Sequence, residues 1–190
     1  MSTLGIENIQ HTNGTNAITI NSDGSMKRGA FQAYSNSNQS LTSNVHTIVQ
    51  LDQKLLDPDN YFDTSTYRFT PQVAGIYYIE GQIMWEADVN DDVYLFMNIK
   101  KNGDFSHTSG SAPYLTGSAS PNVRGILSKQ MKSGNESGVR ASCLVHFNGS
   151  TDYVDMSGYI YNYTDASATD NLMKGHADQM LTYMLGFRVD

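Results

Sequence analysis

The chain has 190 residues and a formal net charge of −7 at pH 7, with 12 Lys+Arg against 19 Asp+Glu. That balance lacks the basic footprint of a nucleic-acid-binding protein, and no apolar run approaches the roughly 18 residues that a membrane-spanning helix needs. A single cysteine excludes a disulfide scaffold or a cysteine-built zinc site, and 16 % charged residues is too few for typical disorder. What remains is rich in Tyr, Gly, Ser, Thr and Asn, the make-up of an antiparallel all-β protein.

Residues 1–28 stand apart because they contain no aromatic residue. Turn signals at Asn13-Gly14 and Asp23-Gly24 bracket a short strand pattern, Ala17-Ile18-Thr19-Ile20. Such a segment cannot form its own core. It is expected to be a short extended β-appendage that orders against a neighbouring chain, a frayed terminus being the simpler alternative. The sequence Met1-Ser2-Thr3-Leu4-Gly5-Ile6 has no basic start and no apolar run, so no secretory signal is expected. The lone Cys143 suits synthesis in a reducing compartment.

Residues 29–190 read as the head. Ala30-Phe31-Gln32-Ala33-Tyr34 alternates, and a polar loop runs from Ser35 to Asn44. Val45 to Leu51 predicts a strand, and Asp57-Pro58-Asp59-Asn60 a turn. Tyr67-Arg68-Phe69-Thr70 is a short strand stopped by Pro71. Gly75 to Ala87 predicts a long strand and Asp88 to Asp92 an acidic turn. Val93 to Ile99 is the most apolar strand, closed by the hairpin signal Lys100-Lys101-Asn102-Gly103. Residues 104–122 are a loop, and Val123 to Met131 a short or edge strand. Val139 to Phe147 and Tyr153 to Tyr163 are strands joined by Asn148-Gly149-Ser150. Thr164 to Asp178 reads as a polar loop with one helical turn near Leu172-Met173. In the last strand, Leu181, Tyr183, Leu185, Phe187 and Val189 share one face. About nine or ten strands with evenly spaced turns make a sandwich.

The residues from Gly29 to Asp190 resemble the globular head of complement C1q, in the C1q/tumour-necrosis-factor jelly-roll superfamily. Ala30-Phe31-Gln32-Ala33 is similar to that family's Ala-Phe-Ser-Ala. Phe69-Thr70-Pro71-Gln72-Val73-Ala74-Gly75-Ile76-Tyr77-Tyr78-Ile79 is similar to its Phe-Thr-x-Pro-x-x-Gly-x-Tyr-Tyr-Phe stretch. Val93-Tyr94-Leu95 with Lys101-Asn102-Gly103 resembles its Leu-x-Lys-Asn-Gly hairpin. Asp152-Tyr153-Val154 and Gly186-Phe187-Arg188-Val189 resemble its last two strands. The resemblance implies a ten-stranded antiparallel jelly roll and a three-fold homotrimer. No collagen repeat is present, and the loops 104–137 and 164–180 are longer than the family pattern. The segment from Gly14 to Ile20, followed by Asp23-Gly24, resembles short β-repeats in the shafts and collars of phage tail fibres.

Several residues are candidates for sites. Tyr159, Tyr161 and Tyr163 alternate on one strand face while Ile160 opposite them needs burial, so part of this cluster is expected at the trimer interface rather than in the core. Tyr114, in a Gly/Ser loop, is the candidate for stacking on a sugar ring; anchoring that loop to the sandwich is the alternative. The carboxylates Asp57 and Asp59 in one turn and Asp91 and Asp92 in another are the candidates for a calcium ion. Asp88-Val89-Asn90-Asp91-Asp92 lacks the EF-hand Gly and Glu, and ordinary solvated turn carboxylates are the simpler reading. No other cofactor is expected. The five histidines show no metal-ligand spacing, and no hydrolase, metalloprotease or phosphate-loop motif occurs. Cys143 sits mid-strand and is expected to be a buried, inert thiol.

The expectation is therefore a non-enzymatic bacteriophage virion protein, a tail-fibre tip, spike or capsid decoration. Residues 1–28 would dock on other virion proteins, and a trimeric head would bind a host-surface glycan or protein through loops 104–122 and 164–180. Three identical weak contacts on one rigid head give avidity. A secreted or bacterial ligand module for a protein receptor is the alternative. A polysaccharide-degrading enzyme would need a carboxylate pair across a groove.

Overall fold

A computed structural model describes residues 8–10, 16–19, 24, 29–86, 93–103, 127–132, 136–162 and 171–189. Every regular element among them is a β-strand. In the N-terminal segment, β1 (Asn8–Gln10) and β2 (Asn16–Thr19) form an antiparallel pair.

The head is two antiparallel sheets. The seven-stranded sheet is built on β9 (Gly75–Glu86), which pairs along its whole length with β12 (Glu136–Phe147). On its other side β9 pairs first with β15 (Tyr183–Arg188) and then with β14 (Leu172–Met173). Beyond these lie β3 (Phe31–Tyr34), β4 (Gln39–Ser40) and, at the margin, β6 (Gln53–Leu56). The six-stranded sheet centres on β10 (Val93–Lys101) and β13 (Val154–Asn162). It is extended by β11 (Leu127–Lys132) on one side, and by β5 (Thr47–Ile48), β8 (Arg68–Phe69) and β7 (Phe62–Asp63) on the other.

The core lies between the sheets and follows the period of two that a strand imposes. Tyr77, Ile79, Ile83 and Trp85 of β9 point inward, facing Val93, Leu95, Met97, Met156 and Ile160 from the other sheet. Phe31 stacks on Phe69 at 4.0 Å, and Tyr77 meets Phe147 edge-on at 5.1 Å. Gly158 sits over the Trp85 indole; a Cβ there would lie 2.4 Å from the ring, so the strand must carry glycine to seat the tryptophan. The expected turns form: Asn102 and Gly103 both adopt left-handed backbone, and the Asn148 side chain accepts from the N–H groups of Ser150, Thr151 and Asp152.

Three expectations are corrected. Leu172-Met173 is not a helical turn but strand β14, because Met173 is drawn into the core and pairs with Trp85 of β9. The expected strand Val45 to Leu51 narrows to Thr47–Ile48; beyond it the chain stays extended, with Val49 and Leu51 buried and the Val49 N–H donating to the Met156 carbonyl. Strands β4, β6 and β7 were not expected at all. The acidic turn 88–92, the loop 104–122, and the loop 164–180 up to residue 170 fall outside the described residues.

Candidate functional site

Alternation along β9 leaves Ile76, Tyr78, Glu80 and Gln82 on the outer face of the seven-stranded sheet. In β15 the inward positions go to Thr182, Met184 and Gly186, so the apolar face shared by Leu185, Phe187 and Val189 is the outward one. A Cβ on Gly186 would lie 2.5 Å from Ile79 Cδ1 and 2.8 Å from the Tyr78 carbonyl oxygen, which fixes which side of β15 meets the core. Register then lines up Phe187, Tyr78 and Leu144 in one row across three strands. Phe187 and Tyr78 rings lie 5.5 Å apart. Ile76 (39 % exposed), Leu144 (59 %), Phe187 (47 %) and Val189 (49 %) form one apolar patch facing solvent.

The next rows of the same face carry a polar knot. Glu80 is 9 % exposed. Its Oε2 accepts from the Tyr78 hydroxyl at 2.8 Å, and its Oε1 accepts from the Tyr183 hydroxyl at 3.1 Å and from the Arg140 guanidinium. Burial pushes this carboxyl up, but the three donors and the Arg140 charge outweigh it and hold it below the usual carboxylate range. The knot gives the face a fixed polar pattern beside the apolar row. Nothing in the local sequence signals it, because its members come from three strands.

The expected interface residues Tyr159 and Tyr161 lie on the outer face of the other sheet, with Ile160 turned into the core as anticipated. Tyr161 is cross-strand from Tyr94, and Tyr159 from Phe96. Phe96 meets Tyr159 edge-on at 5.7 Å, and His46 lies 4.6 Å from Tyr159. Tyr161 is 39 % exposed. Tyr163 and Tyr114 lie outside the described residues. The apolar row is on the opposite sheet from Tyr159 and Tyr161.

The turn at 57–60 forms with its carboxylates engaged. Asp57 Oδ1 accepts from the Tyr61 N–H at 2.9 Å, and its Oδ2 accepts from the Phe62 N–H and from Lys54 Nζ, each at 3.0 Å. The Lys54 charge therefore sits directly against the Asp57 carboxylate. Asp59 Oδ2 accepts from the Gly29 N–H at 2.9 Å. Among the described residues no group of three His, Cys, Asp or Glu side chains comes together. Asp91 and Asp92 lie outside them. Burial raises the Cys143 thiol to about 11, so it is protonated at neutral pH.

Comparison with known proteins places the fold. No protein-family model and no curated protein matches the sequence. Solved structures do. The globular domain of zebrafish complement 1qA superposes with a TM-score of 0.55 at 19 % identity, covering 86 % of this chain and 98 % of that one. Murine APRIL gives 0.55 at 10 % identity, covering 86 % and 100 %. The Eiger TNF of S. frugiperda gives 0.51 at 10 % identity, covering 86 % and 93 %. The head is a C1q/TNF-like antiparallel jelly roll, the fold its sequence resembles.

Proposed function

We propose that the protein is a display head: a C1q/TNF-like jelly roll that self-associates as a homotrimer, is carried on a phage particle through residues 1–28, and contacts the host surface. The carrying observation is the outward apolar row of Ile76, Leu144, Phe187 and Val189 around Tyr78. Soluble monomers rarely leave contiguous apolar area of this kind in water, and its burial is worth about 25 cal/mol per Å². The Glu80 knot beside it supplies the polar pattern that sets one register over another. The number three comes from the resemblance to C1q heads. The virion setting draws on the likeness of residues 14–24 to phage fibre repeats and on the pairing of Asn8–Gln10 with Asn16–Thr19. Self-association through this face turns the other sheet, with Tyr159 and Tyr161 on its outer face, away from the contact.

Neither Glu80 nor Asp152 is set up as a general acid. A general acid needs a raised carboxyl pKa. At Glu80 and Asp152 burial is outweighed by hydrogen bonds and a neighbouring cation, so both are held low.

Light scattering of the purified chain tests the assembly. The expected mass of the full chain is three times its 21.0 kDa, and the chain without residues 1–28 is expected at three times its own smaller mass; a monomer overturns it. Immunogold labelling of particles assembled in cells carrying the gene tests the virion placement. Free soluble trimer with unlabelled particles would favour the ligand-module alternative.

A further inference from the structure

Strand β12 adds a titratable group to the apolar face. Its Ala141, Val145 and Phe147 point into the core, with Cys143 packed against it, so Arg140, Ser142, Leu144 and His146 take the outer side. Register sets His146 opposite Ile76, and on the other flank the Val189 N–H donates to the Ile76 carbonyl at 2.9 Å. Val189, Ile76 and His146 therefore form one row, directly beside the row of Phe187, Tyr78 and Leu144. His146 is exposed, and its imidazole has no hydrogen-bond or ion-pair partner among the described residues.

The charged groups around it stand outside these two rows. On β9 the nearest is Glu80, which holds the hydroxyls of Tyr78 and Tyr183. On β12 it is Arg140, bound to the same carboxylate. On β15, Arg188 pairs with Tyr77 and belongs to the other side of the strand. Past the end of β12, Asp152 is taken up by Lys101 at 2.8 Å and by the Asn148 N–H at 3.0 Å. Asp190 lies outside the described residues. Of these side-chain types only imidazole ordinarily changes charge between pH 5 and 8.

Closing copies of the chain over the patch takes His146 out of water. A neutral imidazole can be enclosed among Ile76, Leu144 and Val189, whereas an imidazolium there is a buried charge without a counter-charge and costs far more. Protons therefore bind the separate chains better than the assembly, and falling pH favours separation.

We propose that His146 makes this self-association acid-sensitive: the trimer accepts the neutral imidazole, and its protonation releases single chains that stay folded. The proposal rests on the reading of this face as the self-association surface. Assembly is strongest above about pH 6.5, the ordinary imidazole value, and weakens below it. With one imidazole per chain kept from its proton, the association constant of a trimer falls about a thousandfold from pH 7.5 to pH 5.5. The concentration at half-assembly then rises about thirtyfold.

The test is sedimentation of the full chain over a concentration series at pH 7.5 and pH 5.5, at constant ionic strength, with far-UV circular dichroism recorded alongside. The parent is expected to show that thirtyfold rise, reversed on return to pH 7.5, with an unchanged spectrum. His146→Gln and His146→Phe should each assemble at pH 7.5 and hold the same half-assembly concentration at pH 5.5. His146→Lys, charged at both values, should stay a single chain. His176→Gln, at an exposed position after β14, should keep the parental response. A parent trimer indifferent to pH overturns the proposal and leaves the display reading standing. So does a pH response that survives in both neutral variants, a failure of both to assemble at pH 7.5, or a release that coincides with loss of the β-sheet spectrum. A chain that is single at every concentration and at both pH values overturns this proposal and the trimer together.

Discussion

Glu80 shows how a single carboxylate ties stability to pH. Its folded pKa lies below the ordinary 4.5. Its contribution is therefore complete above the unfolded value and lost as pH falls through the folded one. Melting curves from pH 7 to pH 3 should show the parent losing stability faster than Glu80→Gln below about pH 4.5; parallel curves would contradict the knot. Lys100 and Asp155 pose a different case. They face each other across β10 and β13 with Nζ 2.9 Å from Oδ1, side chains 3 % and 2 % exposed. Removing Lys100 leaves the buried carboxylate only the longer contact to Arg68 Nε at 3.7 Å, so Lys100→Met should cost about 3 kcal/mol in urea unfolding, while Lys100→Met with Asp155→Leu should recover part of it. Gly158→Ala pushes a methyl into Trp85 and should cost about 1–3 kcal/mol. Cys143 should resist a thiol reagent in the native state and react on unfolding, because its burial keeps it protonated.

At the scale of strands, periodicity located the long elements well and the short ones poorly. Gly75–Glu86, Val93–Lys101 and Val154–Asn162 alternate over many residues and were legible almost to their ends. Two-residue strands such as Phe62–Asp63 exist only because a distant partner pairs with them, so no local pattern betrays them. Leu172-Met173 was misread for the same reason. Alternation also cannot say which side of a strand meets the core. The apolar side of β15 was legible as one shared face, but Gly186 and Met184 are the residues that meet the core, so that face turns outward. The Glu80 knot was illegible because it joins β9, β12 and β15. If the proposed trimer closes through this face, the double variant Leu144→Asp with Phe187→Asp should yield a single-chain species with unchanged far-UV circular dichroism. A trimer that survives both changes would move the interface elsewhere.

For the whole molecule, topology sets both folding and layout. Strands β3 and β15, near the two ends of the head sequence, lie side by side, with Phe31 paired to Gly186. Closing such a sheet requires long-range pairing, so refolding is expected on the slow millisecond-to-second scale of sandwiches. Removing residues 1–28 should leave the melting temperature of the head unchanged, because its core begins at Phe31; a large fall would tie the segment into the fold. The β3–β6 margin has one more consequence. Its register slips between Gln32 and Ala33, and β6, with exposed Leu55 and Leu56, is the end strand of its sheet among the described residues. A straight flank of that kind would let neighbouring copies zip into endless ribbons wherever many are crowded together. The slip skips Leu55 in the pairing, an irregularity of the kind that discourages such growth.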